Sequence, residues 1–349
     1  MPTHQSHPLP APLNGLAWLE NLENPTNPTL ATWGGNGQLH LLRAGMQAPL
    51  TLTLTPNQAL LAAVATPHGL ITAAENGQLH LTTPQGETTH LTTLPHKFPE
   101  HLAYHAKTNL LIWAAGKHAG TLNLNNPNQA QAQTLQAPST IGGIALSPLG
   151  PRLAISHYGG ASIYNLQNLT EAPRKLPWQG SHLGLTYSPN GKWLISSMQD
   201  QSLHLWRLSD GHDLQMRGYP GPISQFSFSH CGNWLGTNGG SGVPLWNFAN
   251  KEKGPAGQQA KVVADSGSPE LLVTSVVMHP QGPFMAVGYA DGLALLVNYA
   301  TNTSVLLHHP TPPQALESPQ AVTHASWTHN GLALAFIQPN SLHLTHFSN

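Results

Sequence analysis

The hexapeptide Asn-Gly-Gln-Leu-His-Leu occurs twice in this chain, at residues 36–41 and again at residues 76–81. Asn-Gly favours a tight hairpin turn, and the alternating leucines that follow it favour a strand with one buried face. The two copies begin 40 residues apart. A hairpin that returns at this interval predicts a chain built from repeated all-β units.

A second marker, a turn that ends in glycine, recurs with a similar period. It reads SPLG, SPNG, SHCG, HPQG and THNG, and it ends at Gly150, Gly191, Gly232, Gly282 and Gly331. Proline and glycine suit tight connections between strands because each permits backbone angles that turns require. The flanking strand-like runs predict units that begin near residues 14, 58, 101, 140, 181, 222, 272 and 321.

Repeats of about 40 residues with three or four strands each are typical of β-propeller blades. We therefore expect residues 1–349 to form a single β-propeller domain with eight blades, and seven blades is the alternative. Residues 1–13 precede the first unit, where they could supply a fourth strand to the last one. Pairing of the N-terminal and C-terminal segments would close the ring and leave no open sheet edge.

The segment YSPNGKWLISSMQDQSLHLWRLSDG, residues 187–211, resembles a WD40 repeat in its Ser-Pro-x-Gly turn, its hydrophobic strand and its Leu-Trp pair. The resemblance extends over nearly the whole chain, but Trp206 and Trp246 lack the following aspartate, and no Gly-His pair opens a repeat. It implies a WD40 propeller without the usual buried Asp-His-Ser-Trp network, held together by apolar packing between blades.

Several phrases resemble a group of bacterial WD40 proteins linked with zinc-handling metallochaperone GTPases. These phrases are STIGGIALSP, LAISHYGG, WQGSHLGLTYSPNG, RGYPGPI and AVGYADG. The resemblance implies a role in metal homeostasis, with zinc as the metal, and it identifies no ligand residues.

Charged residues make up only 8% of the chain, with 13 lysines and arginines against 14 aspartates and glutamates. Without a basic cluster to neutralise phosphates, the sequence does not favour nucleic acid as a partner. No apolar run approaches the ~18 residues of a membrane span, and the N-terminus lacks a signal-peptide pattern. The single cysteine, Cys231, excludes an intramolecular disulfide. We expect a cytoplasmic monomer.

WD40 topology would bring the starts of the innermost strands and the hairpins between second and third strands to one face, at the mouth of the channel. Aromatic anchors and polar contacts on such a face suit a protein partner or a small ligand. The residues expected there are Lys117, His157, Tyr158, Trp178, His182, Gln199, Asp200, Tyr219, Tyr289 and Asp291. The long connections 248–271 and 308–321 are further candidates for contacts.

Three functions are compatible with this reading. The first is a non-catalytic scaffold that binds a protein partner through the mouth, with no cofactor. The second is direct binding of a divalent metal such as zinc, or of a small ligand, with His157 and His182 as candidate metal ligands. The third, a hydrolase or lyase at the same mouth, lacks H-E-x-x-H, Walker A and G-x-S-x-G motifs. We therefore predict that the protein is not an enzyme.

The repeated histidines His40, His80, His204 and His343 share one register of the third strand in different units. Packed sheets lie about 10 Å apart, whereas zinc ligands lie about 2 Å from their ion. These histidines therefore cannot share an ion, and we expect them to be half-exposed residues of the repeat.

Overall fold

The computed structural model describes residues 3–19, 27–43, 45–126, 133–309 and 320–347. These residues are all-β apart from one 3-10 helix, Ala106–Thr108. The chain divides into two compact units, His7–Ser181 and the combination of Met1–Ser6 with His182–Asn349. The expected single domain over residues 1–349 stays a prediction.

Strand β1 (Thr3–Pro8) lies at the start of the described chain. The unit His7–Ser181 then contains β2 (Leu13–Leu19), β3 (Thr29–Gly34), β4 (Gln38–Leu42), β5 (Leu50–Thr53), β6 (Leu60–Thr66), β7 (Gly69–Ala74), β8 (Gln78–Thr82), β9 (Thr88–Thr93), β10 (Pro99–His105), β11 (Leu110–Ala115), β12 (His118–Asn123), β13 (Thr134–Gln136), β14 (Gly143–Leu146) and β15 (Arg152–Asn165).

Strand β16 (Arg174–Tyr187) contains the boundary between the two units. The strands that follow are β17 (Trp193–Met198), β18 (Leu203–Arg207), β19 (Asp213–Met216), β20 (Phe226–Phe228), β21 (Trp234–Thr237), β22 (Val243–Asn247), β23 (Lys261–Val263), β24 (Val273–Met278), β25 (Phe284–Tyr289), β26 (Ala294–Asn298), β27 (Thr303–His308), β28 (His324–Trp327), β29 (Ala333–Gln338) and β30 (Ser341–His346).

The described strands form seven sheets, so the prediction of eight blades is wrong. Six of these sheets have four strands, in the orders β2 to β5, β6 to β9, β10 to β13, β20 to β23, β24 to β27 and β1-β30-β29-β28. The units predicted to begin near residues 140 and 181 share the continuous strand β16, and β14 to β19 form one six-stranded sheet. The first part of β16, up to Ser181, pairs with β15, and the part from His182 pairs with β17, so the predicted boundary at 181 falls inside one continuous strand.

The repeated hexapeptide shows how neighbouring sheets pack. In its second copy, Gly77 has a φ of +91°, which glycine adopts without steric cost, and it joins β7 to β8. In the first copy, Leu39 and Leu41 are buried in one cluster with Leu60 and Leu70 of the next sheet. The leucines of the repeat thus form the core between sheets, where apolar burial stabilises the fold.

The histidines of the repeat are buried, so the prediction of half-exposed rings is wrong. His40, His80, His204 and His343 expose only 1%, 8%, 0% and 3% of their surface. His40 and His80 lie opposite the small residues Thr32 and Thr72 of the preceding strand, which leave space for a ring. The Nδ1 of His40 also lies 2.8 Å from the hydroxyl of Thr51, so its polarity is satisfied inside the sheet.

Candidate functional site

Four of the predicted mouth residues are buried in the sheets. His157, His182, Tyr219 and Tyr289 expose 7%, 2%, 8% and 0% of their surface. Their side-chain polar atoms contact neighbouring strands and loops. These four side chains are therefore internal, and their expected role as contacts at the channel mouth stays a prediction.

His182 belongs to a buried polar group within the unit that contains β17 and β18. Its Nδ1 lies 2.7 Å from the hydroxyl of Ser196, and its ring centroid lies 5.2 Å from that of Trp206. A histidine, a serine and a tryptophan thus lie together here, but the indole Nε1 of Trp206 has no hydrogen-bond partner among the described residues, so this group is not the complete Asp-His-Ser-Trp network. The pairing of β16 with β17 shifts register between His182 and Leu185. In the sequence, Ser181 separates Gly180 from His182, so the adjacent Gly-His pair typical of WD40 repeats does not occur here.

Tyr219 lies in the connection between β19 and β20 and reaches side chains of the next sheet. The indole Nε1 of Trp246 donates a hydrogen bond of 2.6 Å to the Tyr219 hydroxyl, which lies 3.0 Å from the hydroxyl of Thr237. Burial raises the pKa of Tyr219 to about 12, so the hydroxyl stays protonated and can donate to Thr237. Here the tryptophan is hydrogen-bonded, whereas the indole Nε1 of Trp206 in the group around His182 has no partner among the described residues.

His157 and Tyr289 are likewise engaged internally. The Nε2 of His157 lies 2.9 Å from the hydroxyl of Ser162, and its Nδ1 lies 2.8 Å from the carbonyl of Tyr158. The hydroxyl of Tyr289 donates to the carbonyl of Ala264. Burial, followed by the carboxylates of Asp265 and Asp291, raises the pKa of Tyr289 to about 12.

Replacement of Ser162 by alanine is expected to lower the free energy of unfolding by about 1–3 kcal/mol, because the buried Nε2 of His157 loses its hydroxyl partner. Urea unfolding measures this loss. Ser209→Ala, at an exposed position, is the matched control and should change stability by less than about 0.5 kcal/mol. Equal stability of the two variants would contradict the structural role of His157.

The remaining predicted residues differ in exposure. Lys117, Gln199 and Asp200 are exposed, whereas Trp178 and Asp291 are half-buried. The carboxylate of Asp200 accepts a hydrogen bond from the hydroxyl of Ser202, and that of Asp291 accepts one of 2.9 Å from the backbone N–H of Leu293. Both carboxylates thus stabilise the turns that carry them.

Tyr158 is the most exposed aromatic residue among the predicted set, with 67% of its surface in solvent. Its backbone N–H donates a hydrogen bond of 2.8 Å to the hydroxyl of Ser139, and it pairs with Ser181 of β16. Near Ser139, the carbonyl of Lys117 accepts a 2.8 Å hydrogen bond from Ala137. Two hairpins of the unit His7–Ser181 therefore present Tyr158 and Lys117 on a hydrogen-bonded backbone.

A metal site has no ligand set in the part of the chain that the structure describes. No group of three or more histidine, cysteine, aspartate or glutamate side chains there could hold an ion. The carbonyl of Tyr158 and the hydroxyl of Ser162 engage both ring nitrogens of His157, so His157 would have to lose one of these hydrogen bonds to ligate a metal. Within the same described ranges, no helix is long and apolar enough to cross a membrane.

Two concave regions lie within the unit of Met1–Ser6 and His182–Asn349. A cavity of about 760 Å³ follows the strands β20, β24 and β28. Gln225 links two sides of its wall. The side-chain amide donates a hydrogen bond of 2.8 Å to the carbonyl of Thr323 and accepts one of 3.1 Å from the backbone N–H of Val276. The second region is a groove of about 590 Å³ between β19 and the strands β22 and β23.

The sequence indicated only part of this groove. The connection 248–271, predicted to carry contacts, contributes residues 255–260 to its wall, and the glycine-rich hairpin tip contributes residues 240–242. The other predicted connection, 308–321, lies outside the described residues between 310 and 319. The groove was missed because it depends on the separation of two sheets, which no local pattern encodes.

Comparison with known proteins identifies the fold. Residues 179–207 match the family model "WD domain, G-beta repeat". No curated protein sequence matches the chain. The structure is similar to the C-terminal WD40 domain of Sif2, with a TM-score of 0.75 and 14% identity over 99% of each chain. It is also similar to the Neurospora crassa Pan2 WD40 domain, with a TM-score of 0.58 and 12% identity over 97% of this chain and 90% of that chain.

These similarities confirm the prediction of an all-β WD40 propeller fold. Propellers of this class are typically scaffolds for protein interactions and are generally non-catalytic. A fold shared at this level of identity does not specify a partner, because function resides in the residues that each chain places on the common framework.

Proposed function

We propose that this protein is a non-catalytic scaffold that binds a protein partner through the exposed hairpins around Tyr158. The observation that carries the proposal is the 67% exposure of Tyr158. Tyrosine is enriched among the residues that dominate binding energy at protein interfaces. Four other residues of the predicted set have side chains that could take part in acid–base or metal chemistry, but they are buried inside the fold. They are His157, His182, Tyr219 and Tyr289.

The hairpin backbone supports this role for Tyr158. Its N–H is bound to Ser139, and the strand that carries it pairs with β16, so little backbone order has to be gained when a partner binds. Lys117 is exposed on the neighbouring hairpin and would add a charged contact at the rim, where charges favour specificity and the rate of association.

The setting of this interaction is also part of the proposal. The resemblance of the phrase that contains Tyr158, LAISHYGG, to the zinc-linked bacterial group supports a partner in metal homeostasis. Cys231 is free and exposed, which suits the reducing conditions of the cytoplasm. We place the scaffold there as a monomer.

Capture of partners from extracts of the source organism tests the proposed surface. Tyr158→Ala is expected to weaken retention of the specific partner by at least about tenfold, the effect of losing one aromatic anchor worth about 1.4 kcal/mol or more. Leu149→Ala is the matched control, because Leu149 is a 72% exposed apolar residue in the turn before β15. Undiminished capture by Tyr158→Ala, or equal losses in both variants, would reject this surface.

A further inference from the structure

The groove between β19 and the strands β22 and β23 has an apolar floor. Met216, Tyr219 and Trp246 line it, and each of them exposes less than 9% of its surface. Val262 lines the groove from β23 and is 52% exposed. A concave region with a buried aromatic floor and an exposed apolar wall can take up an apolar side chain.

The wall on the β19 side offers backbone groups as well. Strand β19 is the last strand of its sheet, and no further strand of the described chain pairs with its outer edge. An edge strand leaves backbone N–H and C=O groups open to an added strand. Extended peptides bind such edges through main-chain hydrogen bonds, while their alternate side chains enter adjacent pockets.

The hairpin tip opposite β19 keeps the entrance open. Gly240 and Gly242 line the groove, and a side chain at Gly242 would meet the Val262 side chain at 2.8 Å and the Val263 carbonyl at 3.0 Å. Because Gly242 has no side chain, the hairpin tip can lie close to β23. Glycine also lets the backbone of a ligand approach closely.

Arg217 brings an exposed positive charge to the groove. The guanidinium of Arg217 donates a hydrogen bond of 2.6 Å to the side-chain oxygen of Gln215, and Arg217 forms no ion pair with the described residues. The one carboxylate of the lining, Asp265, accepts hydrogen bonds from the Ser241 hydroxyl at 3.0 Å and the Gly267 N–H at 3.1 Å. In a chain with only 8% charged residues, an exposed guanidinium without an ion pair among the described residues, beside an apolar floor, favours a partner carboxylate.

We infer that this groove binds an extended segment of a partner protein in which an apolar side chain stands next to an acidic one. The apolar side chain contacts Met216 and Trp246, the carboxylate contacts Arg217, and the segment's backbone pairs with β19. This surface is separate from the hairpins around Tyr158, so it goes beyond the proposed function and can fail without it.

The test uses the full chain and fluorescein-labelled short peptide pools that carry a central leucine followed by glutamate, glutamine or lysine, with uncharged residues elsewhere. Binding is followed by fluorescence anisotropy. We expect the glutamate pool to bind at least about tenfold more tightly than the lysine pool, the ratio that corresponds to about 1.4 kcal/mol. Arg217→Glu should reverse this preference, and Asp265→Asn should not weaken binding of the glutamate pool.

Ala256→Trp tests the location, because Ala256 is exposed and lines the groove, so an indole there would occupy it. This variant should abolish binding of every pool, whereas Lys175→Glu, an exposed charge reversal outside the groove lining, and Tyr158→Ala should bind like the unmodified protein. Urea unfolding confirms that each variant is folded.

Several results would overturn the inference. They are equal binding of the glutamate and lysine pools, no binding of any pool to the unmodified protein, and unchanged binding by Ala256→Trp. Self-association in sedimentation experiments that Ala256→Trp abolishes would identify a second copy of this chain as the occupant, which also contradicts a partner segment.

Discussion

Replacement of Tyr219 by alanine is expected to lower the free energy of unfolding by about 3–5 kcal/mol, the range found when a large buried aromatic side chain is removed from a core. The side chain is 8% exposed and packs in a cluster with Trp193 and Leu235. Its removal leaves a cavity and takes away the acceptor of the Trp246 indole and the partner of the Thr237 hydroxyl. Equilibrium unfolding in urea measures the effect.

Tyr219→Phe separates the hydrogen bonds from the packing. It keeps the ring and removes only the hydroxyl, so the expected loss is about 1–3 kcal/mol. Tyr158→Ala is the exposed counterpart and should cost less than about 0.5 kcal/mol. A Tyr219→Ala variant as stable as Tyr158→Ala would show that Tyr219 is a surface residue and that its buried network does not exist.

Acidification from pH 7.5 to pH 5.0 is expected to destabilise the fold, with His204 as one identified source. Burial, followed by the neighbouring His182, lowers the pKa of His204 to about 3. In the unfolded chain its pKa is about 6.5, so below that pH the unfolded state gains a proton that the folded state does not. The stability is fully present above pH 6.5 and is lost as the pH falls from 6.5 toward 3.

At pH 5.0 the expected contribution of His204 to this loss is about 1–2 kcal/mol. Burial also lowers the pKa values of His40 and His80, so the protein as a whole should lose more. Urea unfolding at both pH values should show a smaller loss for His204→Leu than for the unmodified protein, while Tyr158→Ala keeps the full loss. A pH dependence unchanged by His204→Leu would contradict a neutral buried His204.

The repeat in the sequence predicted the fold because it directly reflects local structure. Asn76-Gly77 turns the chain between β7 and β8, and Leu39 and Leu41 recur where a strand buries its face against the next sheet. The number of sheets was harder to predict. It depends on whether the chain breaks between two units, and residues 174–187 continue as one strand despite the glycine at position 180.

The candidate site was predicted less well, because the sequence specifies which face of a strand a residue occupies but not what covers it. His157 and Tyr158 are adjacent, and the structure buries the first against Ser162 while it exposes the second. The polar groups near Trp206 and Trp246 were hidden in the sequence, at His182 by an extra residue in the Gly-x-His spacing and at Tyr219 by its location in the connection before β20. Pairs of small hydroxyl residues and tryptophans on the following strands, such as Thr237 with Trp246, were the available signal.

The division between buried and exposed candidates is tested most directly by measuring partner capture for Tyr158→Ala and Tyr219→Phe together, at a temperature where both variants are folded. We predict that Tyr158→Ala reduces the amount of captured partner at least about tenfold and that Tyr219→Phe captures as much partner as the unmodified protein. Retention of the partner by Tyr158→Ala, with its loss in a folded Tyr219→Phe, would contradict the assignment of Tyr158 to the binding surface and of Tyr219 to the core.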